Sequence, residues 1–446
     1  VSEPRPWWIG WTNQYLKQRR SCTCDSSSHQ VLGREIVATT DHCKVVFGTE
    51  TNDRHPPFPD ILTCAIGSRP MPTTSSPTRS VVIATFVTVM LAAAVAQGFG
   101  RFTFGVILPD VREDLLGGSN SLGGFVATAN TFAYLVGALV VGSLSAKVSP
   151  VNSVRIGLLF SVGGLAAAAA APNTAVLTLA MISMGFGGAA IWIPSPGITS
   201  AVVAPHLRGL AVGLTGSGVG LGIIFSGQLN GRLVANGGGW RDVYTVHTVI
   251  GLVAIALVFL VLRQRRSTAQ PAGGFGGFAV LRTLDGWKPI TGCYFIYGFG
   301  YLLILAFLTS RLQDDSGFSE STASTIFAVT GGCTIFGGVA LGRISDIIGR
   351  RWTLVGSFPL WAAAVGLILT GELPLVIVGA VIVGFLFGGI PSVIAAYLVD
   401  RTDAATYGPS YAAATFAFGV AQVSSPQIGG FIADWRGSFT LVFVMS

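Results

Sequence analysis

Gly342-Arg343-Ile344-Ser345-Asp346-Ile347-Ile348-Gly349-Arg350-Arg351 stands between two apolar runs, Ser321–Gly342 and Trp352–Gly371. A bilayer core needs about 20 residues of helix, so the stretch reads as a short charged loop between two membrane spans. Outward from it the same alternation recurs. Toward the C-terminus lie Leu373–Val399, Ala404–Ala433 and a run that begins at Gly437 and reaches Ser446. Toward the N-terminus lie Pro289–Ser310, Val243–Leu262, Gly209–Gly231, Ile156–Pro205, Leu115–Ala146, and a first run from Ser80 past Arg101 to Leu108. Ile156–Pro205 has room for two helices, broken at Pro172-Asn173. The count is eleven spans and a stub, and the expectation is twelve spans with the last cut short.

Composition agrees. Of 446 residues 51% are hydrophobic and 11% charged, with 59 glycines and a mean hydropathy of +0.65, against roughly 25% charged in soluble proteins. That excludes a set of soluble domains, a disordered chain and a coiled coil, and leaves an all-α polytopic membrane protein. If the first helix starts in the cytoplasm, thirteen Lys/Arg fall in inner loops and five in outer ones, as the positive-inside rule requires. An even number of spans then puts both termini in the cytoplasm of a multi-pass plasma-membrane protein.

The chain also repeats itself. At an offset of 200, Gly98-Phe99-Gly100 falls on Gly298-Phe299-Gly300, and Gly142-Ser143-Leu144-Ser145 on Gly342-Arg343-Ile344-Ser345. Slightly smaller offsets pair Pro194-Ser195 with Pro391-Ser392 and Trp240-Arg241 with Trp435-Arg436. Four matches in one order indicate parallel copies. The expected layout is a six-helix half over 80–262, a cytoplasmic linker over 263–286 and a second half over 287–446, the plan of a rocking transporter. At this point residues 80–446 resemble the major facilitator superfamily. Gly342, Asp346, Gly349, Arg350 and Arg351 match that family's loop motif, and the resemblance implies a cytoplasmic gate in which Asp346 pairs with Arg350 at i, i+4. A positive-inside anchor is the competing reading. The first-half copy has Ala146 where the acid belongs, and Met181 stands where the family's fourth helix carries Arg, which weakens the case for proton coupling there. Gly98-Phe-Gly100-Arg101-Phe102 followed by Pro109 resembles the YbfB/YjiJ-type branch.

Arg101 is the one basic residue well inside a span, and an intramembrane charge is a functional hypothesis by default. Gln97 lies one turn before it; together a guanidinium fork and an amide suit a carboxylate. Asn130 and Tyr134 on the second span, His247 on the sixth, and Tyr297 and Tyr301 on the seventh complete the candidate substrate contacts, with Tyr301 at the repeat position of Arg101. No Asp or Glu falls well inside the spans so drawn, which favours an anionic over a cationic solute.

Residues 1–70 differ, with 8 basic and 7 acidic residues and four of the six cysteines. Cys22-x-Cys24 and His42-Cys43 fit no zinc spacing, and residues 1–79 read as a polar, disordered extension within which Met71 is the expected start. No metal or cofactor is expected. Basic residues do not cluster with aromatics, so no nucleic acid is expected; there is no Walker A sequence and no nucleophile–base pairing, so no enzyme. The expected function is alternating-access transport of a small solute, favoured an organic anion, by a monomer in the lipid bilayer, with proton coupling an open possibility. Efflux of amphipathic compounds and a non-transporting membrane sensor are the alternatives.

Overall fold

The computed structural model describes residues 78–145, 147–204, 207–263, 277–402 and 406–446, together with the backbone of three short strands. The expected start at Met71, the zinc-spacing residues Cys22, Cys24 and His42, and most of the linker lie outside the described residues. The chain divides into two units, Val1–Thr74 and Ser75–Ser446. In the first, β1 (Val31–Leu32), β2 (Glu35–Thr40) and β3 (Cys43–Val46) form an antiparallel sheet in sequence order, with Val31 opposite Ile36 and Val37 opposite Val46. Such strands are too short to register as sustained periodicity.

The second unit is helical. Its first half holds α1 (Arg79–Leu115), α2 (Asn120–Leu144), α3 (Pro150–Ala169), α4 (Thr174–Ser200), α5 (Arg208–Ala235) and α6 (Trp240–Val261). After a helical turn at Gly277–Leu281 come α7 (Trp287–Asp315), α8 (Glu320–Ile348), α9 (Arg350–Leu369), α10 (Leu373–Val399), α11 (Tyr407–Arg436) and α12 (Thr440–Val444). Among the described residues ten of these helices, α1 to α10, are long and apolar enough to cross a membrane. The eleventh, α11, has the length but carries Gln422, Ser424, Ser425 and Gln427.

Local chemistry starts the helices where polar residues follow a loop. Ser119, Ser149, Asn173 and Ser319 each accept a hydrogen bond from the backbone N–H three residues on, the N-cap arrangement that satisfies an otherwise orphaned donor. Ser119 and Ser319 stand at the repeat offset of 200. Outward faces carry exposed large apolar residues such as Leu179, Leu260, Phe336 and Phe431, which suits lipid rather than water.

The halves meet with the symmetry the repeat implies. The second helix of each half packs on the fifth of the other, α2 on α11 and α8 on α5, while α1 packs on α7. On α1 and α7 the crossing falls at repeat-equivalent positions. A Cβ on Gly105 would lie 2.1 Å from the carbonyl oxygen of Leu305, so only glycine permits the approach. This crossing lies in the part of the bundle farthest from the linker, the distal end.

The first span is longer than the Ser80–Leu108 run. It continues through Pro109 to Leu115, so Asp110, Glu113 and Asp114 sit on the helix rather than in a loop. Its middle, Ala94–Phe102, is π-helical, with Thr103 N–H bonded to Gly98 O, a widened geometry that recurs at functional sites. Proline lacks the N–H that would bond the carbonyl four residues back. That carbonyl belongs to Gly105, and the Thr309 hydroxyl, from the repeat position of Pro109, donates to it across the halves.

Thr309→Val should leave the Gly105 carbonyl unpaired in a buried seam, lowering stability by about 1–3 kcal/mol. The thermal unfolding midpoint in lipid nanodiscs is expected to fall, and Thr309→Ser, which keeps the hydroxyl, is expected to restore it.

Candidate functional site

Arg101 projects from the π-helical middle of α1 into the seam between the halves. One guanidinium nitrogen donates to Gln422 Oε1 on α11, and the guanidinium carbon lies 5.0 Å from the Tyr134 ring centre and 5.6 Å from that of Phe102. Three buried polar atoms in this region have no partner, Arg101 Nε, Asn130 Oδ1 and Gln422 Nε2, while the Gln97 amide is within reach of the Tyr134 hydroxyl. Gln97 and Gln422 are both buried, and at 2% exposure the unpaired donor of Gln422 carries a real cost. A cavity of about 20 Å³ beside them is lined by Arg101, Phe102, Asn130, Thr131 and Met181 from one half and Leu302, Leu305 and Pro426 from the other. That is room for one water, so the site is collapsed in this conformation.

The remaining predicted residues divide. Asn130 faces the cavity, yet its Nδ2 donates to Gly100 O at 3.0 Å and Met181 O at 2.8 Å, tying α2 to α1 and α4. Tyr301 stacks on Phe387 at 5.0 Å, and Phe387 meets Phe102 edge-on at 5.7 Å, which links the second half's aromatic column to the Arg101 region. Tyr297 stacks on Tyr301 and donates its hydroxyl to Phe387 O at 2.7 Å. Phe387 lies four residues before Pro391, so Tyr297 answers the carbonyl this proline frees. His247 lies elsewhere. It is wholly buried in the first half, face to face with Phe99 at 3.9 Å and 3.3 Å from Ser226 Oγ. Phe99 precedes Arg101 by two residues and so points to the other side of α1.

The Gly342–Arg351 stretch closes on itself at the linker end. Gly349, at φ +91°, breaks the chain between α8 and α9, and Arg350 turns back to Asp346 Oδ1 at 2.5 Å, Ser345 Oγ at 2.5 Å and Asp400 Oδ2 at 3.1 Å, the last at the end of α10. Arg351 lies 5.9 Å from the Trp352 ring. Gly342 has no heavy atom within 4 Å of where a Cβ would stand, so close helix approach is not made there in this conformation.

Sequence reasoning missed the cross-half polar contacts. Gln422 carried a signal, an amide inside an apolar run, but its partner is 321 positions away. At the distal end Arg112 pairs through both terminal nitrogens with Asp314, and Asp434 accepts from Ser119 Oγ and the N–H groups of Asn120 and Ser121, capping α2 from α11. Asn230 on α5 donates to Glu320 and Ser324 on α8. From Arg101–Gln422 outward the halves are thus joined, and the distal end is shut.

With this geometry in place the relationships are clear. The family model described as uncharacterised MFS-type transporter YbfB matches residues 93–446, and the chain belongs to that family within the major facilitator superfamily. It is 31% identical over 140 residues to an uncharacterized transporter, YgaY, of Escherichia coli O157:H7, spanning about a third of that relative's length (35%) and 31% of this chain. It is 22% identical over 391 residues to the hexuronate transporter of Bacillus subtilis (strain 168), covering 80% of this chain and 89% of that one. The fold matches the inward-facing, unoccupied crystal structure of a bacterial homologue of the human lysosomal transporter Spinster, with a TM-score of 0.69, 15% identity, and coverage of 80% of this chain and 84% of that one. The family is one of membrane transporters, and the ten apolar helices among the described residues are those of a multi-pass membrane protein.

Because the Tyr297 hydroxyl is committed to the Phe387 carbonyl, Tyr297→Phe should cost about 1–3 kcal/mol of stability. A lowered unfolding midpoint with unchanged affinity for any transported solute is the expected pair of results; lost affinity at unchanged stability would make Tyr297 a solute contact instead.

Proposed function

We propose that the protein carries small organic anions by alternating access, holding the anion at Arg101 between two six-helix halves, residues 80–262 and 287–446. The observation that carries this reading is a guanidinium in the seam whose Nε has no partner, beside the unpartnered amide donor of Gln422. Both nitrogens are donors without acceptors, and a carboxylate offers the acceptors they lack. Tyr134 and Asn130 border the anion, Tyr301 closes the second half's side, and His247 and Tyr297 support the helices that carry them. The relative named for hexuronate, a sugar carboxylate, is in keeping with this chemistry.

The bias of basic residues puts the linker end in the cytoplasm and the distal end outside. The conformation described is then closed to the exterior, in a monomer of the plasma membrane. Arg350, bridging Asp346 and Asp400, holds α8, α9 and α10 together at the cytoplasmic mouth, and these helices move as one when that mouth shuts.

Carboxylates that stabilise purified protein against heat should lose that effect with Arg101→Gln, affinity falling roughly 10- to 100-fold with the lost charge-assisted hydrogen bonds. Stabilisation by lipophilic cations, unchanged in the variant, would overturn the anion reading in favour of efflux. For the gate, Asp346 and Asp400 are about half exposed (51% and 47%), so Arg350→Gln should cost only about 1 kcal/mol of stability. Uptake into proteoliposomes should nevertheless slow several-fold; an unchanged rate would leave Arg350 as an anchor.

A further inference from the structure

The surroundings of Arg101 are aromatic on both sides of the seam. On the first half's side its guanidinium carbon lies 5.0 Å from the Tyr134 ring centre and 5.6 Å from that of Phe102, within the range at which a cation is drawn to a ring. Phe102 then crosses to the second half, meeting Phe387 of α10 edge-on at 5.7 Å and 83°. Behind Phe387 the rings turn nearly parallel. Tyr301 stacks on it at 5.0 Å and 24°, and Phe418 of α11 stacks on Tyr301 at 5.8 Å and 13°. Phe102 and Phe387 belong to opposite halves, so parting the halves takes from each ring its partner and leaves aromatic surface to be covered.

The hydrogen-bonding capacity of the cavity is small. Of the polar side chains that line it, Thr131 donates its hydroxyl to Ala127 O, and Asn130 gives its Nδ2 to Gly100 O and Met181 O. The groups left over are two donors, Arg101 Nε and the neighbouring Gln422 Nε2, and one acceptor, Asn130 Oδ1. The other lining residues, Phe104, Leu302, Leu305 and Pro426 among them, present apolar side chains. A sugar acid, with a hydroxyl on nearly every ring carbon, would bury several that find no partner, each at a cost. One carboxylate on a flat apolar ring with at most one hydroxyl leaves nothing unpaired.

We propose that the anion held at Arg101 is an aromatic carboxylate. Its carboxylate takes the guanidinium and the Gln422 amide. Its ring enters as the halves part and replaces the contact between Phe102 and Phe387, while a ring hydroxyl, where the solute has one, donates to Asn130 Oδ1. This rests on the anion reading of Arg101 and narrows it to a class of solute.

The test titrates the full chain in lipid nanodiscs with benzoate, 4-hydroxybenzoate, cyclohexanecarboxylate and glucuronate, and takes affinities from the shift of the unfolding midpoint. Benzoate should bind roughly 3- to 10-fold more tightly than cyclohexanecarboxylate, which carries the same charge on a ring without π faces. 4-Hydroxybenzoate should bind at least as tightly as benzoate, and glucuronate most weakly of the four. Phe387→Leu keeps apolar bulk and the carbonyl that Tyr297 needs, so it should bring benzoate down to the level of cyclohexanecarboxylate and leave the latter unchanged. Phe102→Leu reports the same loss if Phe387→Leu does not fold. Equal affinities for benzoate and cyclohexanecarboxylate, tightest binding by glucuronate, or a preference for benzoate that survives both ring variants would overturn the aromatic proposal. If binding is still lost in Arg101→Gln, the anion reading stands without it. Affinities unchanged in Arg101→Gln, or no binding by any of the four acids, would overturn both.

Discussion

A carbonyl inside a bilayer has no water to bond, so each one must find a donor within the protein. Two prolines make that constraint concrete here. Pro109 frees the Gly105 carbonyl, which the Thr309 hydroxyl reaches from the other half, and Pro391 frees the Phe387 carbonyl, which the Tyr297 hydroxyl reaches from α7. The first bond belongs to the seam and the second to the aromatic column behind it. Both prolines could be read as helix breaks, yet both helices continue because a distant hydroxyl completes them.

That constraint explains the shape of the seam. The crossing of α1 and α7 at Gly105 and Leu305 brings repeat-equivalent backbones into contact, as expected where a pseudo-two-fold axis passes between the halves. Around it α2 meets α11 and α5 meets α8. Polar side chains then join the halves from mid-span to the distal loops, beginning at Arg101–Gln422 and ending where Asp434 caps α2. Charge-assisted hydrogen bonds of this kind hold one conformation without large net stabilisation once desolvation is counted.

The functional reading rests on the same polar chemistry. A charge in the middle of a membrane helix is costly, and Arg101 is incompletely satisfied in the collapsed site. Arg101 Nε and Gln422 Nε2 are buried donors left without acceptors at this seam. His247, by contrast, is stacked within one half, and Tyr297 completes a backbone.

Much of this was legible in the residues. Length, hydropathy and the basic loops determined a membrane protein of paired six-helix halves, because crossing a bilayer demands long apolar runs whatever their neighbours. The Gly342–Arg351 stretch determined its own local closure, since Asp346 and Arg350 are one helical turn apart. Tertiary structure alone decided which polar residues meet: Gln422 for Arg101, Asp314 for Arg112, Thr309 for the carbonyl that Pro109 leaves open. Those partners lie some 200 to 320 positions apart, and periodicity along a helix says which face a residue occupies but not which helix of the other half will stand against it.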